Sequence, residues 1–124
     1  MVLERLPYSL TVCKVAHVGD LALEAGFFFV GKTDREISLV CETEDVPAGA
    51  VERVDGWKAF RVCGTLDFSL VGILSELSGI LASNEIGLFA VSTYDTDYIL
   101  VREVDFDRAS GVLSDAGHEI VQAR

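Results

Sequence analysis

The sequence is poor in the residues that metal and redox sites require. It holds three cysteines, Cys13, Cys41 and Cys63, and two histidines, His17 and His118, with no CxxC pair among them. A structural zinc site needs ligands at closer spacing. Three isolated cysteines in apolar strands instead fit reduced, buried thiols in a cytosolic protein. The two histidines are far apart and have no nucleophile pattern nearby, and His118 is expected on the surface or at a sheet edge. Walker, GxSxG, HExxH and GxGxxG motifs are all missing. Paired carboxylates occur at Asp95/Asp97 and Asp105/Asp107, but turn and helix-start roles account for them. No catalytic residue, metal site or cofactor is expected.

Positive charge is also short. Ten basic side chains face twenty acidic ones, for a formal charge of −10. Such a surface repels phosphate backbones and anionic membranes, so neither nucleic acid nor membrane is an expected partner. The longest apolar stretch, Leu70 to Ile86, is broken by Ser75, Glu76, Ser78, Ser83, Asn84 and Glu85. A membrane span needs about 20 mostly apolar residues, so none is expected. Met1 to Pro7 carries Glu4 and Arg5 and has no apolar h-region, which argues against a signal peptide and for the cytoplasm. What the chain has is apolar mass: half of its 124 residues are hydrophobic, enough for one ordinary core or for two very small modules sharing one.

The second half reads clearly. Trp57 to Gly64 is rich in aromatic and β-branched residues and predicts a strand. Thr65 to Ser69 follows as a loop with two N-cap candidates, Asp67 and Ser69. Leu70, Ile73, Leu74, Leu77, Ile80 and Leu81 then fall on one helical stripe, ended by Asn84 and Gly87. Leu88 to Thr93 and Asp97 to Arg102 predict a hairpin through Tyr94-Asp95-Thr96. Asp105 is placed to cap a second helix with Phe106, Ala109, Val112 and Leu113 on one face. Gly117 stops it, and His118 to Val121 makes a last strand. The order β-α-β-β-α-β is the split-βαβ, ferredoxin-like arrangement of the α+β class.

The first half repeats this rhythm in a weaker form. Tyr8 to Val15, Phe27 to Val30 and Glu36 to Cys41 predict strands, Asp20 to Ala25 a single helical turn, and Asp45-Val46-Pro47 a short helix or turn. Phe27-Phe28-Phe29 sends alternate rings to opposite faces, so one face must meet a partner. Two tandem repeats are expected, a degenerate one over 1–60 and a complete one over 61–124.

The run Phe68-Ser69-Leu70-Val71-Gly72-Ile73-Leu74 resembles the start of the first helix in ACT domains. The run from Ile86 to Val101, "IGLFAVSTYDTDYILV", is similar to the β2–β3 hairpin of an ACT subgroup. That subgroup holds short bacterial tandem ACT-like proteins and the ACT modules of eukaryotic cytosolic arginine sensors. "FFFVGKTDREISLVCE", Phe27 to Glu42, also resembles the bacterial members. The resemblance implies a non-catalytic regulatory protein that binds a small ligand, an amino acid or similar molecule, at a module or subunit interface. It further implies homodimers and a site drawn from Asp67, Phe68, Ser69, Val71, Gly72, Thr93, Tyr94 and Asp97. The first repeat departs from the pattern, because it lacks the Gly-led helix.

The chemistry is consistent with that. A zwitterion's carboxylate seeks N–H donors, which a helix N-terminus supplies, and its ammonium seeks a carboxylate such as Asp97 or Asp67. Each residue also has a plainer role open to it. Asp67 or Ser69 can simply cap the helix, Gly72 can serve helix–sheet packing, and Asp97 can close a turn. The alternative for the whole chain is a structural or protein-interaction module with no small ligand.

Overall fold

The structure, a computed structural model, describes residues 1–63 and 72–123. Eight strands and two α-helices are found there: β1 (Val2–Arg5), β2 (Leu10–Val15), β3 (Phe28–Lys32), β4 (Ile37–Glu42), β5 (Glu52–Cys63), α1 (Ile73–Ser83), β6 (Leu88–Ser92), β7 (Asp97–Arg102), α2 (Phe106–Asp115) and β8 (Glu119–Gln122). Short 3₁₀ turns stand at Val18–Asp20, Thr43–Asp45 and Glu103–Asp105. The chain forms two compact units, one of Tyr8–Trp57 and one of Met1–Pro7 with Lys58–Arg124.

The larger unit has the order β5-α1-β6-β7-α2-β8, the ferredoxin-like plan expected from the sequence. Its strands lie in the order β6-β7-β5-β1-β8. β1 was not expected. It inserts between β5, to which it is antiparallel, and β8, to which it is parallel. The four residues of "VLER" are too few to show a period-2 pattern, which is why the sequence hides them. This pairing ties Met1–Pro7 to the second half of the chain within one compact unit.

The apolar stripe of α1 does what its spacing implies. Leu77 and Leu81 are fully buried, and Ile73, Leu74 and Ile80 pack at the margin of the same cluster. Facing them are Leu3, Phe60, Val62, Ile99 and Val101 from the sheet, and Phe106, Ala109 and Leu113 from α2. Each fully buried Leu or Phe contributes roughly 1.5–3 kcal/mol of transfer free energy. Asp105 precedes α2 as expected, but its side chain does not cap it. It lies in a 3₁₀ turn and accepts a bond from Arg108 Nη2 at 3.1 Å instead. Arg5 of β1 clamps α2, donating to Ser110 Oγ at 3.1 Å and Asp107 Oδ1 at 2.8 Å while its guanidinium lies 4.2 Å from the centre of the Phe106 ring.

His118 is a correction. Rather than lying at the surface, it is 7% exposed. Its backbone N–H closes the end of α2 on the Leu113 carbonyl, after Gly117 turns the chain at φ +101°. The turn directs the ring inward, where Nδ1 lies 3.2 Å from the Met1 amine and Nε2 lies 3.6 Å from Glu76 Oε1.

The smaller unit orders its strands β3-β4-β2-β5, the last through residues up to Trp57. The long helices of the other unit are replaced by the 3₁₀ turns at Val18–Asp20 and Thr43–Asp45. Its core is correspondingly small: Cys13, Leu39 and Cys41, with Leu21, Phe28, Val46 and Ala50 packed against them. The three phenylalanines divide as the pleat requires. Phe28 joins that core, while Phe27 stacks on Tyr8 at 4.5 Å and meets Phe29 edge-on at 5.3 Å. Thr11, fully buried, donates to Asp55 Oδ1 at 2.8 Å, and Arg53 donates to the same oxygen. Those two bonds, Thr11 first, hold the Asp55 carboxyl below its usual range.

All three cysteines are free thiols, Cys13 and Cys41 buried and Cys63 half-buried. Burial pushes each thiol up, and Cys41 reaches about 12 with the adjacent Cys13 contributing further. An unfolded thiol ionises near pH 8.5. Between there and about pH 12 the unfolded chain has lost the Cys41 proton while the folded chain keeps it, so stability falls as pH rises through that window. At pH 8 a thiol-specific disulfide reagent is expected to modify Cys13 and Cys41 only at the rate of unfolding. Prompt modification of either in the native protein, read by mass spectrometry, contradicts this burial.

Candidate functional site

Of the residues that sequence reasoning singled out, Asp67, Phe68, Ser69 and Val71 lie outside the described residues. Gly72, Thr93, Tyr94 and Asp97 are described.

Gly72 stands at the N-cap of α1 with φ +90°, a left-handed conformation that strains any L side chain. Its carbonyl accepts the first helical bond, from Glu76 N at 2.8 Å. The first-turn N–H groups that follow have no intrahelical acceptor by the geometry of a helix start, and the N-cap, being glycine, offers no side chain to them. Among the described residues, chain neighbours aside, no atom lies within 4 Å of where a Gly72 Cβ would stand. The left-handed φ by itself accounts for a glycine at this position.

Thr93, Tyr94 and Asp97 come together on the tip of the β6–β7 hairpin. β6 and β7 pair from Leu88 with Val101 to Ser92 with Asp97, so Thr93 falls in the connecting turn, one residue earlier than the strand expected to end there. Thr93 N–H donates to the Thr96 carbonyl at 2.8 Å, and Thr93 Oγ1 donates to the same oxygen at 3.1 Å. Tyr94 projects its ring, 85% exposed. Asp97, half-buried, accepts a bond from Ser92 Oγ across the ladder. On the neighbouring position Tyr98 meets Arg61, whose Nε donates to the phenol oxygen at 3.1 Å while its Nη1 donates to Glu4 at 2.6 Å. Tyr98 first, then Glu4, holds the Arg61 guanidinium firmly in its charged form.

The residue that sequence reasoning passed over is Thr96, which reads as an ordinary turn residue. It is buried, and its Oγ1 donates to the Val62 carbonyl near the end of β5. This fixes the hairpin tip beside the strand that leads into the segment 64–71 and so towards Gly72. A threonine in a polar turn carries no sequence signal for such a role. Its neighbours Asp95 and Tyr94 are exposed, and only the packed structure separates it from them.

Two of the described hairpins have matching registers. β3–β4 and β6–β7 share one register at an offset of 60 positions, Phe28 with Cys41 matching Leu88 with Val101, and Lys32 with Ile37 matching Ser92 with Asp97. Thr33 N–H bonds the Glu36 carbonyl at 2.9 Å as Thr93 bonds Thr96, and both hairpins run into a 3₁₀ turn. At the position of Asp97, however, the first hairpin has Ile37, which packs inward and offers no carboxylate.

No group of three or more His, Cys, Asp or Glu side chains gathers as a metal site among the described residues, and no described helix is long and apolar enough to cross a membrane.

Comparison with solved structures shows where this architecture recurs. The Agobacterium tumefaciens protein Atu0741 is 29% identical, with 99% of this chain and 93% of that one covered at a TM-score of 0.85. VC0802 of Vibrio cholerae, a protein of unknown function described as a possible transport protein, is 19% identical over 92% of this chain and 88% of its own, at a TM-score of 0.74. The aspartate kinase of Clostridium acetobutylicum, an allosteric enzyme, is 15% identical and shares the fold over 87% of this chain and 32% of its own, at a TM-score of 0.64. No curated protein matches the sequence. A family model, that of the ACT domain, matches residues 52–115, from β5 through α2. That span is more than half of the chain and takes in Gly72 and the whole β6–β7 hairpin, and the chain accordingly belongs to the ACT-domain family, a family of regulatory modules.

Proposed function

We propose that this chain is a non-catalytic regulatory protein of the cytoplasm that binds an amino acid between the start of α1 and the tip of the β6–β7 hairpin. The observation that carries this reading is the Thr96–Val62 bond, which sets the hairpin tip beside the end of β5, where the segment leading to Gly72 departs. The N–H groups after Gly72 would hold the ligand carboxylate, helped by the positive end of the helix. Asp97 would hold the ammonium, and Thr93 and Tyr94 would flank the side chain. Asp67, Phe68, Ser69 and Val71 would complete the wall from the segment between β5 and α1, with Asp67 as a second acceptor. The matching hairpin registers support residues 1–60 as a degenerate repeat beside the complete one over 61–124. Ile37, at the position of Asp97, argues for one such site per chain, with a homodimer supplying two.

Binding to the native state must raise its stability, by about 2.7 kcal/mol at a ligand concentration one hundred times Kd. A thermal-shift screen of the common amino acids at millimolar concentration is expected to return one or a few that raise Tm, and Asp97→Asn is expected to remove most of that shift. If no amino acid raises Tm, the reading fails and the interaction-module alternative takes its place.

A further inference from the structure

We propose that the groove between α1 and α2 is a docking surface for a basic amphipathic helix of a partner protein. A shallow hollow of about 630 Å³ runs along the solvent side of the two helices. Gly79, Ile80, Val112 and Ala116 line it with small or apolar surface, and Glu76 and Asp115 line it with carboxylates. Three features point to this occupant.

The first is Gly79. It sits in the interior of α1, where glycine is the most costly residue after proline. Its φ is not left-handed, and an added Cβ would meet nothing within 4 Å. Neither its backbone angle nor the packing of the described residues requires a glycine there, and its effect is to leave the groove wall low. With Ala116 also lining it, the groove suits the close approach of another helix between two helices.

The second is charge. Among the described residues that line it, the ionisable ones, Glu76 and Asp115, are both acids. Two basic side chains adjoin it: Arg108, engaged through Nη1 with the Asn84 carbonyl at 2.6 Å and Nη2 with Asp105 at 3.1 Å, and the buried His118, whose Nε2 lies 3.6 Å from Glu76 Oε1. A second copy of a chain with a formal charge of −10 would bring like charges to this groove, whereas a helix with Lys or Arg beside a small apolar face would complement it.

The third is depth. Small-molecule sites enclose most of their ligand, and this hollow is open along the helices, which suits a macromolecular surface. The groove meets the amino-acid site proposed above only at Ser75, whose backbone N–H lies in the first turn of α1, while Gly79 and Asp115 lie outside that site, so substitutions there test the groove separately.

The test is a displayed library of amphipathic helices that share an Ala/Leu face, half flanked by Lys and half by Glu, selected on the full-length chain. Lys-flanked helices are expected to be enriched. The affinity of a selected peptide, read by fluorescence anisotropy, is expected to fall about tenfold or more on Gly79→Gln, which fills the groove, and on Asp115→Lys, which inverts one of its charges. Asp115 is chosen because Glu76 also faces His118. Gly79→Gln is expected to fold with an unchanged or higher Tm, since helix propensity improves, and to keep the amino-acid thermal shift intact. No enrichment, enrichment of Glu-flanked helices, or binding indifferent to both substitutions overturns the proposal.

Discussion

Replacing Phe60 by alanine is expected to remove about 3–5 kcal/mol of stability, the range for a large aromatic side chain lost from a packed core. Phe60 is fully buried, and its ring lies 4.8 Å from that of Phe106. Phe106 in turn carries the Arg5 guanidinium on its face. Truncation would therefore open a cavity where β5, β1 and α2 meet, and would loosen the Arg5 bonds to Ser110 and Asp107. Small domains have about 5–15 kcal/mol in all, so the variant would be near the limit of folding. In urea the midpoint should drop sharply with little change in slope. Val104→Ala is the matched control: that side chain is 91% exposed, and its loss should stay within about 0.5 kcal/mol. A Phe60 variant as stable as this control contradicts the packing described.

The β-α-β-β-α-β order of the second half was legible because its elements are long and regular. Leu77 and Leu81 lie on a stripe that has no other use than a core, and the hairpin from Leu88 to Arg102 alternates around a polar turn. Where the reading fell short, a tertiary contact had overridden a local signal. Asp105 has the identity and position of an N-cap, but Arg108 competes for its carboxylate. His118 follows a helix stop and precedes a short strand, which reads as an edge, yet the insertion of β1 beside β8 closes over it. β1 itself is invisible until its partners are known, since four residues show no period. The first half of β5, from Glu52 to Trp57, is hidden for a different reason. "ERVDGW" has charges on both faces and a glycine, and becomes a strand by pairing with β2 through Val12 with Val54 and Lys14 with Glu52.

The candidate site was legible in part, and the limit is again physical. Gly72 could be singled out from its place before an apolar run, and the structure gives it a left-handed φ that explains the residue type. Thr93, Tyr94 and Asp97 could be grouped because one short turn holds them. Thr96 could not, because burial of one hydroxyl among four polar neighbours depends on the packing of β5 against β7.

For that reason the most informative substitution at the site is Thr96→Val. Valine keeps the shape and removes the hydroxyl, so the Val62 carbonyl loses its donor in a buried setting. An unsatisfied buried polar group costs about 1–3 kcal/mol. The same bond is what aligns the hairpin tip with the end of β5, so Asp97 and Thr93 should lose their fixed position relative to the start of α1. Two readouts are then expected to move together: Tm falls, and the amino-acid-induced shift shrinks by more than the loss of stability accounts for. Thr33→Val offers the comparison, because Thr33 is exposed and lies in the hairpin that has Ile37 in place of an acid. It should lower Tm only slightly and leave the ligand response unchanged. If Thr96→Val loses stability and still responds fully to the amino acid, the bond is a structural staple alone, and the ligand must be held away from the hairpin tip.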